Sequence, residues 1–364
     1  MATEAGGVRR AVYSAIHMKN ITRQDDEIKI KLTGLGAPKN ANISQFLGNN
    51  DNKYKNCKFS INSKIEETDY WIVCDNIGQD HTCKVDPTKI FFCTAESPYI
   101  TSYKKGTDKI FLRQFTKIFT CHDIYQDNVI VSLAFQPWMI NAKYHEDIFA
   151  SSERDYNYLS QLKELEKTRT LSVFCSNKKM NEHQELRLRF VINIKKYFKD
   201  KLDWFGGGIK ELSPKWLGIA PYKYHLALEN QSTYNVISEK LFDSFLGLSY
   251  PIYWGAPNVG DYFPKASFTS INIMDLKGSI EIIEKVIEEN TWETNFEAIL
   301  QAKDLSLNKY NLFMRIAEIC IEDYNNNGQS NNKSIIELKP RKYPGIGKKI
   351  LFHLGKKFLE IYNT

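Results

Sequence analysis

The sequence predicts an α/β protein built from two doubly wound halves, each a parallel sheet flanked by helices. Three observations carry this reading. Short apolar runs alternate with helical stretches along most of the 364 residues, the pattern that builds βαβ units. A charged, polar segment, 151–167, separates two such series near residue 150. Residues 222–268, YKYHLALENQSTYNVISEKLFDSFLGLSYPIYWGAPNVGDYFPKASF, read as strand, polar loop, helix, strand and tight turn.

In the first half, 27–33 reads as a strand followed by the turn Gly34-Leu35-Gly36, and 37–56, rich in Asn, Lys and Asp, as loop. Two further strands are expected at 69–74 and 89–94, the second ending in Thr94-Ala95-Glu96-Ser97-Pro98, and shorter ones at 117–121 and 128–133. The second half opens with a strand at 170–175. A helix at 185–199 carries Leu186, Phe190, Ile194 and Phe198 on one stripe. A short strand at 203–205 leads into Gly206-Gly207-Gly208. The run 224–228 is a strand ending in Glu229-Asn230. Ser238 is placed to cap a helix whose apolar stripe is Leu241, Phe242, Phe245, Leu246 and Leu248. The strand 251–254 and the turn 255–258 follow. Two strands joined by a helix imply a parallel unit with its functional edge at the strand C-termini. That edge holds Asn230, Glu239, Lys240 and Asn258.

Helices are expected at 279–289 and 295–319, and the low-complexity stretch 325–333 reads as a linker. Beyond it, 344–362 is a basic amphipathic segment. Ile346, Ile350, Leu354, Phe358 and Ile361 fall on one side, and Lys348, Lys349, Lys356 and Lys357 lie elsewhere.

Hydrophobic residues make up 42% and charged residues 25% of the chain, ordinary values for a globular protein. The net charge of +6 suits an anionic ligand or a membrane surface and does not by itself indicate nucleic acid. Seven scattered cysteines with no C-x-x-C pair read as reduced, mostly buried thiols of a cytosolic compartment. His81, Cys83 and Cys93 lack a fourth ligand of convincing spacing, so buried strand cysteines near a loop histidine are the better reading and no metal site is expected. The best uncharged stretch, 128–142, is too short to span a bilayer and contains Pro137. Residues 1–17 lack a signal-peptide core and read as a vector-derived or disordered leader ahead of Met18.

The elements YKYHLALEN (222–230), Ser238-Glu239-Lys240 and PIYWGAPN (251–258) recur in order and spacing. Together they resemble the donor-binding signature of the family 10 glycosyltransferases, the α1,3/1,4-fucosyltransferases, with Ser238 standing for the family's Thr. The resemblance implies a GT-B fold, two Rossmann-like domains facing a cleft. An acceptor-binding domain then spans 18–155, a nucleotide-sugar domain 156–324, and the linker and basic tail 325–364. Animal members carry an N-terminal membrane anchor, so the bacterial type is expected here. That places the protein in the cytoplasm, with peripheral contact to an anionic membrane through 344–362.

The chemistry of the candidate residues fits that resemblance. A nucleotide-sugar transferase must hold a diphosphate and meet its charge as it leaves. The sequence has no Asp-x-Asp, so cations and backbone N–H groups must do this without metal or other cofactor. Lys240 lies in the first turn of a capped helix, where free N–H groups and the helix dipole favour an anion. Its bland alternative is a solvated lysine. The resemblance places a diphosphate-binding Arg at Arg187, with Arg189 the fallback; a guanidinium holds phosphate oxygens bidentately. The resemblance gives Glu239 a role toward sugar or ribose hydroxyls, against a plain first-turn dipole role. Asn230 should offer amide hydrogen bonds at a strand end, with Tyr224 and His225 as core residues. Some bacterial members carry a nucleotide-contacting Tyr three residues before the signature Glu. That position is Val236 here, leaving Tyr234 as the nearest aromatic substitute.

Glu96, in a stretch resembling the family's Thr-Gly-Glu-Asn, is the expected general base, with His122-Asp123 a weaker alternative. Inverting attack on an anomeric carbon needs a base opposite the leaving diphosphate, worth about 10²–10⁴-fold in rate. The expectation is therefore fucose transfer from GDP-fucose to a bacterial surface glycan such as lipopolysaccharide. A related enzyme with another nucleotide sugar, or an inactive glycan-binding protein, are the alternatives.

Overall fold

Two parallel sheets organise the chain in this computed structural model, which describes residues 26–79, 81–98, 106–124, 126–141, 153–179 and 181–341. The leader and the basic tail lie outside them. In chain order the first-half strands are β1 (Ile28–Gly34), β2 (Lys53–Tyr54), β3 (Cys57–Ile61), β4 (Tyr70–Cys74), β5 (His81–Val85), β6 (Ile90–Cys93), β7 (Lys117–Thr120) and β8 (Val129–Val131). Seven of them form a sheet of order β2-β3-β1-β4-β6-β7-β8, parallel except for the edge pair β2–β3. The central strands β4 (YWIVC) and β6 (IFFC) are buried along their whole length. Helices on both faces of a parallel sheet require such continuous apolar runs. Short helices α1 (Ser44–Leu47), α2 (Gly106–Leu112) and α3 (Tyr156–Gln161) belong to this half and to the segment that follows it.

The second sheet comprises β9 (Arg169–Phe174), β10 (Leu202–Phe205), β11 (Tyr222–Leu228), β12 (Tyr250–Trp254) and β13 (Thr269–Ser270), in the order β10-β9-β11-β12-β13. All its pairings are parallel. Helix α4 (Glu182–Phe198) links β9 to β10, and α5 (Glu239–Leu246) links β11 to β12. The winding reverses between β9 and β11, so the crevice for a ligand lies beyond Phe174 and Leu228.

Helices α6 (Leu276–Glu288), α7 (Thr291–Thr294), α8 (Phe296–Leu307) and α9 (Leu312–Asn327) complete the second half. The single helix expected over 295–319 is two, because the Asn311 side chain accepts from Phe313 N and Met314 N and starts a new helix. The linker reading of 325–333 also needs correction. Helix α9 continues to Asn327, and β14 (Ser334–Leu338) then pairs antiparallel with β5. Neither β5 nor the short elements α1, β2 and β3 were expected. Their stretches are polar and gain their apolar partners only in the folded chain.

Helix α9 returns to the first half and fastens it. Asp323, buried, accepts from Lys89 Nζ and Lys117 Nζ, both at 2.5 Å, and from Tyr70 Oη at 2.9 Å. Arg315 donates to the carbonyls of Leu133 (2.9 Å) and Ala134 (3.0 Å) and lies 3.9 Å over the Phe135 ring. One continuous core cluster joins residues of both halves, from Ile28 through Phe135 and Leu226 to Phe313. The seven cysteines are buried and unpaired to one another.

Candidate functional site

Strand β11 leaves its sheet through Glu229, Asn230 and Gln231, and the next turns of chain build the site. The Ser238 backbone is extended, as an N-cap requires, and its Oγ accepts from Lys240 N. The same hydroxyl donates to Glu229 Oε2 at 2.6 Å, while Ser238 N donates to Glu229 Oε1 at 2.8 Å. Glu229 therefore fixes the helix start to the strand end. Burial raises the Glu229 pKa above the usual range, with Lys240 opposing.

The Lys240 ammonium turns inward. It donates to Glu239 Oε1 at 3.0 Å and Ser238 Oγ at 3.1 Å, and lies 3.7 Å from Glu229 Oε2. Lys215 Nζ approaches the same Glu239 oxygen, at 3.6 Å. Burial would raise its carboxyl, but Lys240 and Lys215 together hold it well below the ordinary carboxylate range. Lys215 also sits 3.1 Å from Asp243 Oδ2, one turn further along α5. Acid and base thus alternate from Glu229 through Lys240, Glu239 and Lys215 to Asp243.

Helix α4 supplies Arg187. Its buried stripe contains Arg187, Leu188, Phe190, Val191, Ile194 and Phe198, so this arginine faces the sheet while Arg189 is exposed. Arg187 Nη1 donates to Asn230 Oδ1 at 2.7 Å and to Leu228 O at 3.3 Å. The expected pair of Arg187 and Asn230 therefore meets at the end of β11. Both Arg187 and Lys240 bear on the Cys175 thiol just beyond β9, opposing the burial that raises it. The two cations converge at the reversal between β9 and β11.

Glu96 comes from the first half, three residues beyond β6. Asp75, after β4, accepts from Ala95 N at 3.0 Å and Glu96 N at 3.2 Å. His122 Nε2 donates to the Glu96 carbonyl at 2.7 Å, and Gln136 Nε2 to the Ala95 carbonyl at 2.7 Å. The backbone of Glu96 is thus held from three sides. Burial raises its carboxyl above the usual range; Glu239 adds to the rise and Lys240 opposes it. The charges at the start of α5 therefore act on Glu96. His122, the weaker candidate for the base, is buried and occupied in positioning Glu96.

Tyr234 stands apart, with its ring 56% exposed on the loop before α5. Val236 is buried against Cys121 and Ala134 of the first half. Between them Asn235 adopts a left-handed backbone, φ 62°. Its N–H donates to Asn258 Oδ1 at 3.0 Å and its carbonyl accepts from Ala134 N at 3.0 Å. Asn258, expected at the functional edge, is there as a clamp on this loop. Tyr224 and His225 are core residues as expected. His225 is bonded to Ser172 Oγ at 2.8 Å, and burial pushes its pKa down to about 3. Sequence reasoning missed Lys215, Asp243, Asp75 and Gln231, none of which belongs to a recognisable motif.

The second sheet thus gathers two cations, Arg187 and Lys240, at its winding reversal, and the charges of Glu239 and Lys240 act on Glu96 of the first half. Residues 164–297 match the model described as glycosyltransferase family 10 (fucosyltransferase) C-term. An α-(1,3)-fucosyltransferase of Helicobacter pylori is 35% identical over 68 residues, which is 19% of this chain and 14% of that protein's length. Among solved structures, an α1,3-fucosyltransferase with GDP aligns at 15% identity and TM-score 0.46, over 82% of this chain and 96% of that one. One with GDP-fucose aligns at 15% identity and TM-score 0.44, over 80% and 94%.

Proposed function

We propose that the protein is an inverting glycosyltransferase that moves L-fucose from GDP-fucose to a hydroxyl of a bacterial surface glycan, of the lipopolysaccharide type. One observation carries this reading: Arg187 and Asn230 meet at the end of β11, where Lys240 and Glu239 open α5, and the Glu96 carboxylate of the first half feels the charges of Glu239 and Lys240. In the reaction, the acceptor oxygen forms a bond to the anomeric carbon as the bond to the diphosphate oxygen breaks. Glu96 takes the acceptor proton, and its raised pKa suits a base working nearer neutrality. The electron pair of the broken bond leaves with GDP. Arg187, Lys240 and the positive end of the α5 dipole meet that charge, so the proposal needs no divalent metal. Glu239, held ionised by two lysines, accepts hydrogen bonds from donor hydroxyls.

Thermal-shift screening tests the donor, since a ligand that binds only the folded state raises apparent stability. GDP and GDP-fucose should raise the melting temperature in the presence of a chelator. A shift with UDP or CMP species alone would overturn the assignment. That outcome is the second reading, a different nucleotide sugar, and the burial of Val236 favours it to the extent that base contacts differ here. Peripheral membrane contact through 344–362 is proposed on its sequence. Anionic vesicles should sediment the full chain and not a chain ending at 341. Among the described residues no helix is long and apolar enough to cross a membrane.

A further inference from the structure

Among the described residues, several buried side-chain N and O atoms without a hydrogen-bond partner lie on or next to the candidate site residues, with Trp138 Nε1 and Asn141 Oδ1 elsewhere. They include Arg187 Nε, Ser97 Oγ beside Glu96, and both the nitrogen and the oxygen of the Gln231 carboxamide. Gln231 is the most demanding of these. Its side chain is 2% exposed, yet neither end of its amide is paired among the described residues. Folded proteins satisfy nearly all such groups, and an exception calls for a polar partner.

Its position says what kind of partner. Gln231 follows Asn230, whose Oδ1 is already taken by Arg187, and precedes the loop that returns to the Ser238 cap. That loop is fixed before any ligand arrives. Glu229 holds its far end through Ser238, and Asn235 is clamped by Ala134 and Asn258. Gln231 is therefore a buried, uncharged residue just beyond the end of β11, one residue after the Asn230 that Arg187 binds. A carboxamide offers one acceptor and two donor hydrogens from a single carbon. That pairing matches two adjacent hydroxyls, one donating and the next accepting.

We propose that Gln231 is a further donor-binding residue, its carboxamide spanning a vicinal diol of the nucleotide sugar. This rests on the function proposed above. The diol is that of the ribose or that of the transferred sugar, and the experiment separates them. Gln231→Met keeps the length of the side chain and removes its polar atoms. Affinities of wild type and Gln231→Met are measured by calorimetry for GDP, 2′-deoxy-GDP and GDP-fucose, with the melting temperature of each free protein.

The expected result is that Gln231→Met melts no lower than wild type, because an unpaired buried amide is gone, and binds GDP-fucose at least about tenfold more weakly. If the diol is the ribose, GDP weakens equally and the effect vanishes with 2′-deoxy-GDP. If it is the sugar, GDP is unaffected. Unchanged affinity for all three ligands overturns the assignment, and so does a lowered melting temperature with no dependence on which hydroxyl is present. Should Gln231→Met fail to fold, Gln231→Asn is read in the same cycle. A wild-type protein that binds no guanine nucleotide overturns the proposed function, and Gln231 with it. A wild type that binds beside an indifferent variant removes Gln231 alone.

Discussion

Lys215 Nζ lies 3.1 Å from the carboxylate of Asp243, a residue with no exposed surface. Asp243 passes its other oxygen to the backbone N–H of Met139 at 2.7 Å, and Met139 belongs to the segment leading out of the first domain. The lysine that helps keep Glu239 ionised therefore also joins the donor helix to the domain crossing. Burial raises Asp243 to about 6, against the pull of Lys215.

A carboxyl whose pKa is raised on folding binds its proton more tightly in the folded state. Its contribution to stability is present at low pH and is lost as pH rises from about 4 toward 6. Lys215→Met removes the nearest compensating charge and should extend that loss above pH 6. Denaturant unfolding at pH 5 and pH 7.5 should show the variant losing more stability over this interval than wild type. Equal losses would mean that Lys215 does not control Asp243. Activity should fall as well, by about tenfold or more, with Lys215→Arg retaining most of it.

Glu96→Gln keeps the shape of the side chain and removes the carboxylate proposed as the base. Turnover should fall by at least about 10²-fold while GDP affinity stays within about twofold. In wild type the base must be unprotonated, so activity should decline on the acid side with an apparent pKa above the ordinary carboxylate value, and the variant should lack that limb. Near-normal turnover in Glu96→Gln would remove Glu96 from the role.

Much of the donor half was legible because its determinants are local. The spacing from Ser238 to Leu246 specifies a capped amphipathic helix, and the runs ending at Leu228 and Trp254 specify its flanking strands. Arg187 is singled out by the resemblance and not by the stripe of α4, but that stripe explains its burial, since a residue three before Phe190 shares its face. Lys215 and Asp243 were not legible, because their meaning comes from a contact across 28 positions of sequence. Strand β14 was hidden for a similar reason. Its SIIEL run follows a polar stretch and finds its partner, β5, only across almost the whole chain. Val236 stands where the resemblance leads one to expect a nucleotide-contacting Tyr; it is buried against Cys121 and Ala134 and packs between the two halves.

Asp323 offers a test of how α9 holds the first domain. Burial would raise its carboxyl, but hydrogen bonds from Lys117, Lys89 and Tyr70 hold it below the ordinary value. Stability from such a group is present above about pH 4 and is lost as pH falls below it. Asp323→Asn leaves the ammonium of Lys89 buried without its counter-ion and should cost about 2–4 kcal/mol at pH 7. Part of the Lys117 contribution is screened, because that side chain is 39% exposed. The difference between variant and wild type should shrink at pH 3. A constant difference at both pH values would show that shape, not charge, is what the site uses.

Tyr234 and Val236 make the last prediction, because their environments are opposite. Tyr234 is 56% exposed on the fixed loop before α5, so its ring contributes little to folding. Tyr234→Ala should change stability by no more than about 0.5 kcal/mol. If the ring stacks on the nucleotide base, the same change should weaken GDP binding by roughly 1–3 kcal/mol, about 5- to 150-fold, and Tyr234→Phe should preserve it. Val236→Tyr, which restores the aromatic of some family members, must force a ring between Cys121 and Ala134. Overpacking of that kind typically costs about 1–3 kcal/mol of stability. It should therefore lower the melting temperature without improving GDP affinity. If Tyr234→Ala binds GDP as wild type does and Val236→Tyr binds it more tightly at unchanged stability, the loop accommodates the base at position 236 after all, and Tyr234 has no part in donor recognition.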